Sequence, residues 1–198
     1  MTRAGRRKMF EAPKKAAALM RGFEASWIIA GGWAIDLFLE RETRPHADVE
    51  IAVFRRDQLA LQARFSGLTI KKAVGGALVD WPRGEYLEPP VHEIHLFDPG
   101  AETPVAEVLL NETDGENWLY RRNAAVTKPL GEICRASRAG IPYLCPEIAL
   151  LYKSKAPRER DEADLTAALP RLDEAGRRWL ARALAVGDEN HPWLERLG

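Results

Sequence analysis

The sequence predicts an α+β fold, a mixed β-sheet flanked by helices and followed by a helical C-terminal part. Three observations lead there. Residues 48–54 alternate cleanly, with Val49, Ile51 and Val53 facing one way and Asp48, Glu50 and Ala52 the other. A short apolar run, residues 27–30, stops at Gly31-Gly32 and gives way to helical spacing at Trp33, Leu37 and Phe38. Beyond Gly140 the pattern turns helical, with breaks at Pro157 and Pro170.

In chain order, residues 12–24 read as a helix with Ala16, Leu19, Met20 and Phe23 inward and a basic outer face. Residues 27–30 form a buried strand, 33–40 a helix and 48–54 a strand whose β-branched face suits packing against helices. Residues 56–65 suit a helix; 68–74 and 77–81 suit two strands joined at Gly75-Gly76. Pro89-Pro90 ends a loop, and strands follow at residues 91–97 and 105–111. Pro146 stands in the first turn of a helix over residues 147–155, and two more helices cover 158–168 and 174–185. The expected division is an α/β domain of residues 1–140 and a helical domain of residues 141–198.

Lys and Arg number 29 and so do Asp and Glu, so the net charge of the 198 residues is zero. That excludes a protein that coats nucleic acid through bulk positive charge. The balance is uneven: residues 1–22 carry seven basic side chains, among them Arg3, Arg6, Arg7 and Lys8, against Glu11 alone. No run approaches the ~18 apolar residues of a membrane span, and the basic start lacks a signal-peptide core. Cys134 and Cys145 have no companions at zinc spacing and read as two reduced thiols of a cytoplasmic protein.

Chemistry concentrates at Asp48-Val49-Glu50. Residues i and i+2 of a strand project from one face, so two carboxylates stand a few ångströms apart. An isolated Asp-x-Glu is ordinarily a solvated strand edge, but such a pair also suits Mg²⁺, which neutralises its repulsion and takes substrate phosphates. A second strand strengthens that reading. In residues 91–97, Glu93 and His95 share a face opposite Ile94 and Leu96. With the two strands as neighbours, Glu93 joins Asp48 and Glu50, giving carboxylates enough for two-metal phosphoryl or nucleotidyl transfer. Glu107, Asp98 and Asp80 rival Glu93 for the third place, and His95 is a polar neighbour rather than a ligand, because Mg²⁺ prefers oxygen.

Gly31-Gly32 between strand and helix permits close backbone approach, and a helix N-terminus favours phosphate. Arg44 and His46 lead straight into Asp48, within reach of phosphates. Neither G-x-x-x-x-G-K-[ST] nor G-x-G-x-x-G occurs, which removes a P-loop ATPase and the usual dinucleotide fingerprint.

The run Ala30-Gly31-Gly32-Trp33-Ala34-Ile35-Asp36, followed by Arg44-Pro45-His46-Ala47-Asp48-Val49-Glu50-Ile51, resembles the nucleotidyltransferase superfamily, of polymerase-β-like fold. Within it the chain is most similar to bacterial aminoglycoside and lincosamide nucleotidyltransferases. Their third carboxylate lies in a strand resembling Val-Asp-Leu-His, which maps onto Glu93 and His95. Residues 141–155, then Arg160-Asp161-Glu162-Ala163-Asp164-Leu165, resemble the helical segment in which a Lys and an Asp-x-x-Asp pair buttress the nucleotide site. The likeness spans roughly residues 27–165. The family's commonest pair is Asp-x-Asp and its commonest turn Gly-Ser, where this chain has Asp48-x-Glu50 and Gly31-Gly32. The longer Glu shifts an ion by about an ångström or changes its denticity.

What the resemblance implies is a nucleotidyltransferase that moves a nucleoside monophosphate from ATP or another NTP to a hydroxyl of a small, aminoglycoside- or lincosamide-like molecule. Asp48, Glu50 and Glu93 would hold Mg²⁺ and carry the reaction; Gly31, Gly32, Arg44, His46 and Lys155 would lie against the nucleotide. Lys153 and Lys155 read equally as a solvated helix face, and Asp161 and Asp164 as partners of Arg158, Arg160 or Lys155. Trp118 and Tyr120 read as core, with Arg121 and Arg122 as candidates for an acceptor pocket. The alternatives are a toxin that modifies transfer RNA, RNA ranking behind a small molecule as acceptor, and a nucleotide-binding module that no longer catalyses. No membrane partner is expected.

Overall fold

A computed structural model describes residues 9–198. Arg3, Arg6, Arg7 and Lys8 of the basic start lie outside them. The chain runs through α1 (Glu11–Leu19), β1 (Trp27–Ile29), α2 (Gly31–Leu39), β2 (Glu50–Phe54), α3 (Gln58–Arg64), β3 (Thr69–Val74), β4 (Ala77–Asp80), β5 (Glu93–Phe97) and β6 (Ala106–Thr113). Then come β7 (Asn117–Leu119), β8 (Thr127–Pro129), β9 (Cys134–Ala136), β10 (Pro142–Leu144), α4 (Pro146–Lys153), α5 (Glu159–Ala168), α6 (Glu174–Gly187) and α7 (Leu194–Leu197). This is the mixed sheet flanked by helices that the alternating and helical patterns predict. No helix among the described residues is long and apolar enough to cross a membrane.

The sheet order is β4-β3-β5-β6-β2-β1-β10-β9, with β7 and β8 branching from β6. β2 runs parallel to β6 and β1 parallel to β10; the other pairs are antiparallel. The strands of Glu50 and Glu93 are therefore not direct neighbours, because β6 lies between them. Register still aligns their faces. Glu50 stands opposite Glu107, Glu107 opposite His95, and Glu93 opposite Leu109 two residues along β6. Glu50, Glu107, His95 and Glu93 thus share one side of the sheet.

The opposite faces supply the core. Ile51, Val108, Ile94 and Leu96 are fully buried, as are Ile35 of α2 and Ile148 and Leu150 of α4. Each such side chain contributes about 1.5–3 kcal/mol of burial. Helix α2 packs on α4, α5 and β10, and α4 packs on α6. The helices after β10 are in this way fixed beside the start of α2, which builds the wall of a cleft.

Candidate active site

The cleft encloses about 400 Å³. It brings together all eight residues singled out in the sequence: Gly31, Gly32, Arg44, His46, Asp48, Glu50, Glu93 and Lys155. Its floor is the polar side of β2, β6 and β5, and one wall carries Tyr152, Lys153, Lys155 and Arg158 from the end of α4 and the start of α5.

At its head, the Ala30 N–H donates to the carbonyl of Glu50 at 2.8 Å and ties the end of β1 to β2. Gly31 then turns at φ 59° into α2. A Cβ there would lie 1.4 Å from Oε2 of Glu50, so the glycine is required for that carboxylate to rest on the helix start. At Gly32 a Cβ would meet the Arg44 guanidinium and the His46 ring at 2.5 Å. The Gly-Gly expected as a phosphate cradle is therefore also what lets Glu50, Arg44 and His46 close in on the N-terminus of α2.

Asp36 explains how Arg44 and His46 reach that place. Its carboxylate is fully buried in α2 and accepts the backbone N–H of Thr43 at 3.1 Å, the Thr43 hydroxyl, and Nε2–H of His46 at 2.7 Å. A buried carboxylate needs such donors, and here they fold residues 43–46 back over α2. The His46 ring also lies 4.4 Å from that of Trp33, whose indole N–H donates to the carbonyl of Asp48 at 2.9 Å. Asp36 appears in the sequence only as part of the resembling run, and nothing local marks it as an anchor.

Across the cleft, Asp161 and Asp164 bond to cations. Asp164 takes Arg44 in a two-point contact, Nε at 3.1 Å and Nη2 at 2.9 Å, and Lys153 at 2.9 Å. Asp161 takes Lys153 at 3.0 Å and Arg158 at 2.8 Å. Of the partners expected for these two acids, Arg158 is found, while Lys153 and Arg44 stand in place of Lys155 and Arg160. Against the burial that works to raise it, hydrogen bonds from Arg158 and Lys153 hold the Asp161 carboxyl well below the ordinary range. The hydrogen bond to Asp164 raises Arg44. Lys155 is exposed at the cleft's mouth.

The floor is different. Burial first, and then the charge of Asp48, push Glu50 up to about 7, with Glu107 and Glu93 adding to the effect and Lys153 opposing it. Glu107 is raised by burial and by Asp48. His95 bridges the far side, with Nε2–H donating to Glu93 at 2.7 Å and Nδ1 lying 3.7 Å from Glu107. Ligand atoms of Glu93, His95 and Glu107 lie within 4.8 Å of one another. Glu107, a rival of Glu93 in the sequence, stands beside it in the structure. Among the described residues the ligand atoms that converge are those of Glu93, His95 and Glu107, while Asp48 and Glu50 line the same floor without joining that group; carboxylate oxygens of this kind fit a hard divalent ion.

At the other end, Trp118 and Tyr120 are buried as expected, Trp118 donating its indole N–H to Asn111 at 2.9 Å. Arg121 and Arg122 line the cleft beside Tyr152. Arg122 donates to the carbonyl of Tyr152 at 2.7 Å and to the hydroxyl of Tyr120 at 3.2 Å.

A family model described as aminoglycoside-2''-adenylyltransferase matches residues 14–167. Among solved structures, the fold is similar to lincosamide antibiotic adenylyltransferase LnuA with lincomycin bound, at 15% identity over 80% of this chain and 94% of that one, TM-score 0.54. It is also similar to the solution structure of antibiotic-resistance factor ANT(2'')-Ia, at 17% identity over 93% and 94% of the two chains, TM-score 0.55. At these identities the likeness is one of fold. No curated protein matches the sequence significantly.

Proposed function

The chain belongs to the aminoglycoside-2''-adenylyltransferase family, a nucleotidyltransferase family, and from that premise we propose its reaction: transfer of a nucleoside monophosphate from an NTP, with ATP the first candidate, to a hydroxyl of a small molecule. The observation that carries this reading is the cleft floor, where Asp48 and Glu50 crowd together and Glu50 is pushed up to about 7. A carboxylate group of that kind is costly alone and favourable around Mg²⁺. Asp48 and Glu50 would hold the ion, with Glu93 completing the set. Bound there, Mg²⁺ supplies charge neutralisation at the phosphates.

The chain's own residues do the rest. The start of α2 and the Arg44 guanidinium receive the triphosphate, and Asp164 keeps that guanidinium in one orientation through its two-point contact. His46 stands beside them, held by Asp36. Lys155 at the mouth adds positive charge for the outer phosphates. Glu93 accepts the proton of the attacking hydroxyl, and the bond from His95 fixes its orientation. The oxygen of the acceptor bonds to the α-phosphorus as the bond to pyrophosphate breaks. The helices that follow β10 contribute the wall that shields this chemistry from water.

The test is incubation with labelled ATP, GTP, CTP or UTP, Mg²⁺ and an acceptor panel that includes aminoglycosides and lincosamides, read by mass spectrometry. A nucleotide-sized adduct with release of pyrophosphate is expected. Absence of nucleotide binding in the presence of Mg²⁺ overturns the reading and leaves the non-catalytic module.

A further inference from the structure

We propose that Glu93, His95 and Glu107 bind a borderline divalent transition-metal ion, Zn²⁺ first among them, apart from the Mg²⁺ position at Asp48 and Glu50, and that this ion inhibits transfer. The site stands on its own geometry; only its inhibitory consequence rests on the nucleotidyl-transfer reading.

The register of the sheet builds it. His95 of β5 stands directly opposite Glu107 of β6, and Glu93 lies two residues away on the same side of β5. A ligand atom from each of the three lies within 4.8 Å of those of the other two. Glu93 lines the cleft, whereas His95 and Glu107 stand beyond its lining.

The imidazole sets the place apart from a patch of acids. The His95 side chain is only 10% exposed, and its Nδ1 is fully buried with no hydrogen-bond partner. Its Nε2–H donates to Oε1 of Glu93 at 2.7 Å, so Nδ1 turns a lone pair toward Oε1 of Glu107 at 3.7 Å. A proton on Nδ1 would not repair this, since an N–H···O bond reaches only to about 3.2 Å. Two buried acceptors that face each other are unfavourable, and a cation between them satisfies both. The separation suits one: donors on an ion with bonds of about 2.0–2.2 Å lie about 3–4 Å apart. A hydrogen bond from the other ring nitrogen to a carboxylate is also what holds a metal-bound imidazole in place. The nearby lysines are engaged elsewhere. Lys71, opposite His95 on β3, lays its ammonium over the Phe97 ring, and Lys153 is bonded to Asp161 and Asp164.

The donors decide the metal. One imidazole nitrogen and two carboxylates suit Zn²⁺, Co²⁺ or Mn²⁺, with Zn²⁺ bound most tightly of these, whereas Mg²⁺ prefers oxygen and gains nothing from His95. An ion here engages the Glu93 carboxylate, which the transfer reaction needs free for the proton of the acceptor hydroxyl. It therefore blocks the reaction while Asp48 and Glu50 keep their place for Mg²⁺.

The test uses the full chain, stripped of metal with EDTA and titrated separately with Zn²⁺, Co²⁺, Mn²⁺ and Mg²⁺ by calorimetry. One equivalent of Zn²⁺ should bind at least tenfold more tightly than Mg²⁺. Its binding should weaken tenfold or more in His95→Gln and in Glu107→Gln and persist in Asp48→Asn. Magnetic resonance of the wild type guards against variants that fail to fold: bound Co²⁺ should displace the ring signals of one of the four histidines far from their ordinary range. In transfer assays at saturating Mg²⁺, Zn²⁺ should inhibit the wild type. Halving the rate of Glu107→Gln, relative to its own Zn²⁺-free rate, should take at least tenfold more Zn²⁺. Zn²⁺ binding equal in wild type, His95→Gln and Glu107→Gln, its loss in Asp48→Asn, or displacement of Zn²⁺ by equimolar Mg²⁺ overturns the site. Zn²⁺ that binds as expected and leaves transfer untouched overturns the inhibition. A chain that transfers no nucleotide at all fails the nucleotidyl-transfer reading, and calorimetry and resonance still judge the site.

Discussion

The floor of the cleft and its helical wall use the same kinds of charged residue and balance them in opposite ways. On the wall, Asp161 and Asp164 are nearly inaccessible and every one of their charges is met, by Arg44, Lys153 and Arg158. On the floor, burial first and then the charges of Asp48 and Glu93 raise Glu50 and Glu107, and only the charge of Lys153 on Glu50 and the ring of His95 on Glu107 oppose this. The wall is complete in itself and holds the two parts of the chain together. The floor keeps a repulsion that a bound cation would offset, which is why the proposed function is placed there.

The wall should suffer most from losing a charge. Asp164→Ala leaves the guanidinium of Arg44 and the ammonium of Lys153 facing each other with one acid fewer. Removing one partner of a buried ion pair costs about 3–5 kcal/mol, and urea denaturation should read a loss of that size. A loss below about 1 kcal/mol would show that the wall is not a structural device.

Gly31→Ala attacks the junction of the two regions. The added Cβ would occupy the place of Oε2 of Glu50, at a backbone φ of 59° that costs an L residue about 1–2 kcal/mol. We expect a loss of that order by urea denaturation and a marked loss of Mg²⁺-dependent nucleotide binding by calorimetry, because the Glu50 carboxylate is expelled. Unchanged binding would detach Gly31 from the site.

The two regions should also answer pH with opposite signs. Glu50 has a folded pKa raised from the ordinary 4.5 to about 7, so the folded state binds the extra proton and stability falls as pH rises through that window. Asp161 has a depressed folded pKa, so its contribution is present above its ordinary 3.8 and is lost as pH falls below it. The ligand-free protein is therefore most stable between the two windows, near pH 4–5 as far as these groups decide. Glu50→Gln should remove the decline toward neutral pH and leave the acid limb. A decline that persists in Glu50→Gln would place the titrating group elsewhere.

Much of this was legible in residues. The alternation at Asp48–Ala52 and the Gly31-Gly32 break put the strand, the turn and the helix where they are found, and the resemblance they carry is that of the family to which the chain belongs. Strand order was not legible: nothing local says that β6 slips between β2 and β5, so Glu107 entered only as a rival. The short strands β7 to β10, of three residues each, offer too little periodicity to be seen. The Arg44–Asp164 contact joins residues 120 apart, and Asp36 acts through burial, which spacing does not report.

The most direct test of the floor's role is thermal melting of wild type and Asp48→Asn, each with and without Mg²⁺ and a nonhydrolysable nucleotide. Asp48 has its backbone carbonyl bound by Trp33, and its side chain makes no hydrogen bond or ion pair among the described residues. The isosteric amide should therefore leave ligand-free melting unchanged or slightly raised, since one member of a repelling group is gone. Ligand should raise the melting temperature of wild type and do little for the variant, whose transfer activity is abolished. A variant that melts much lower without ligand, or that is stabilised by ligand as fully as wild type, would contradict the assignment of this floor as the metal and nucleotide site.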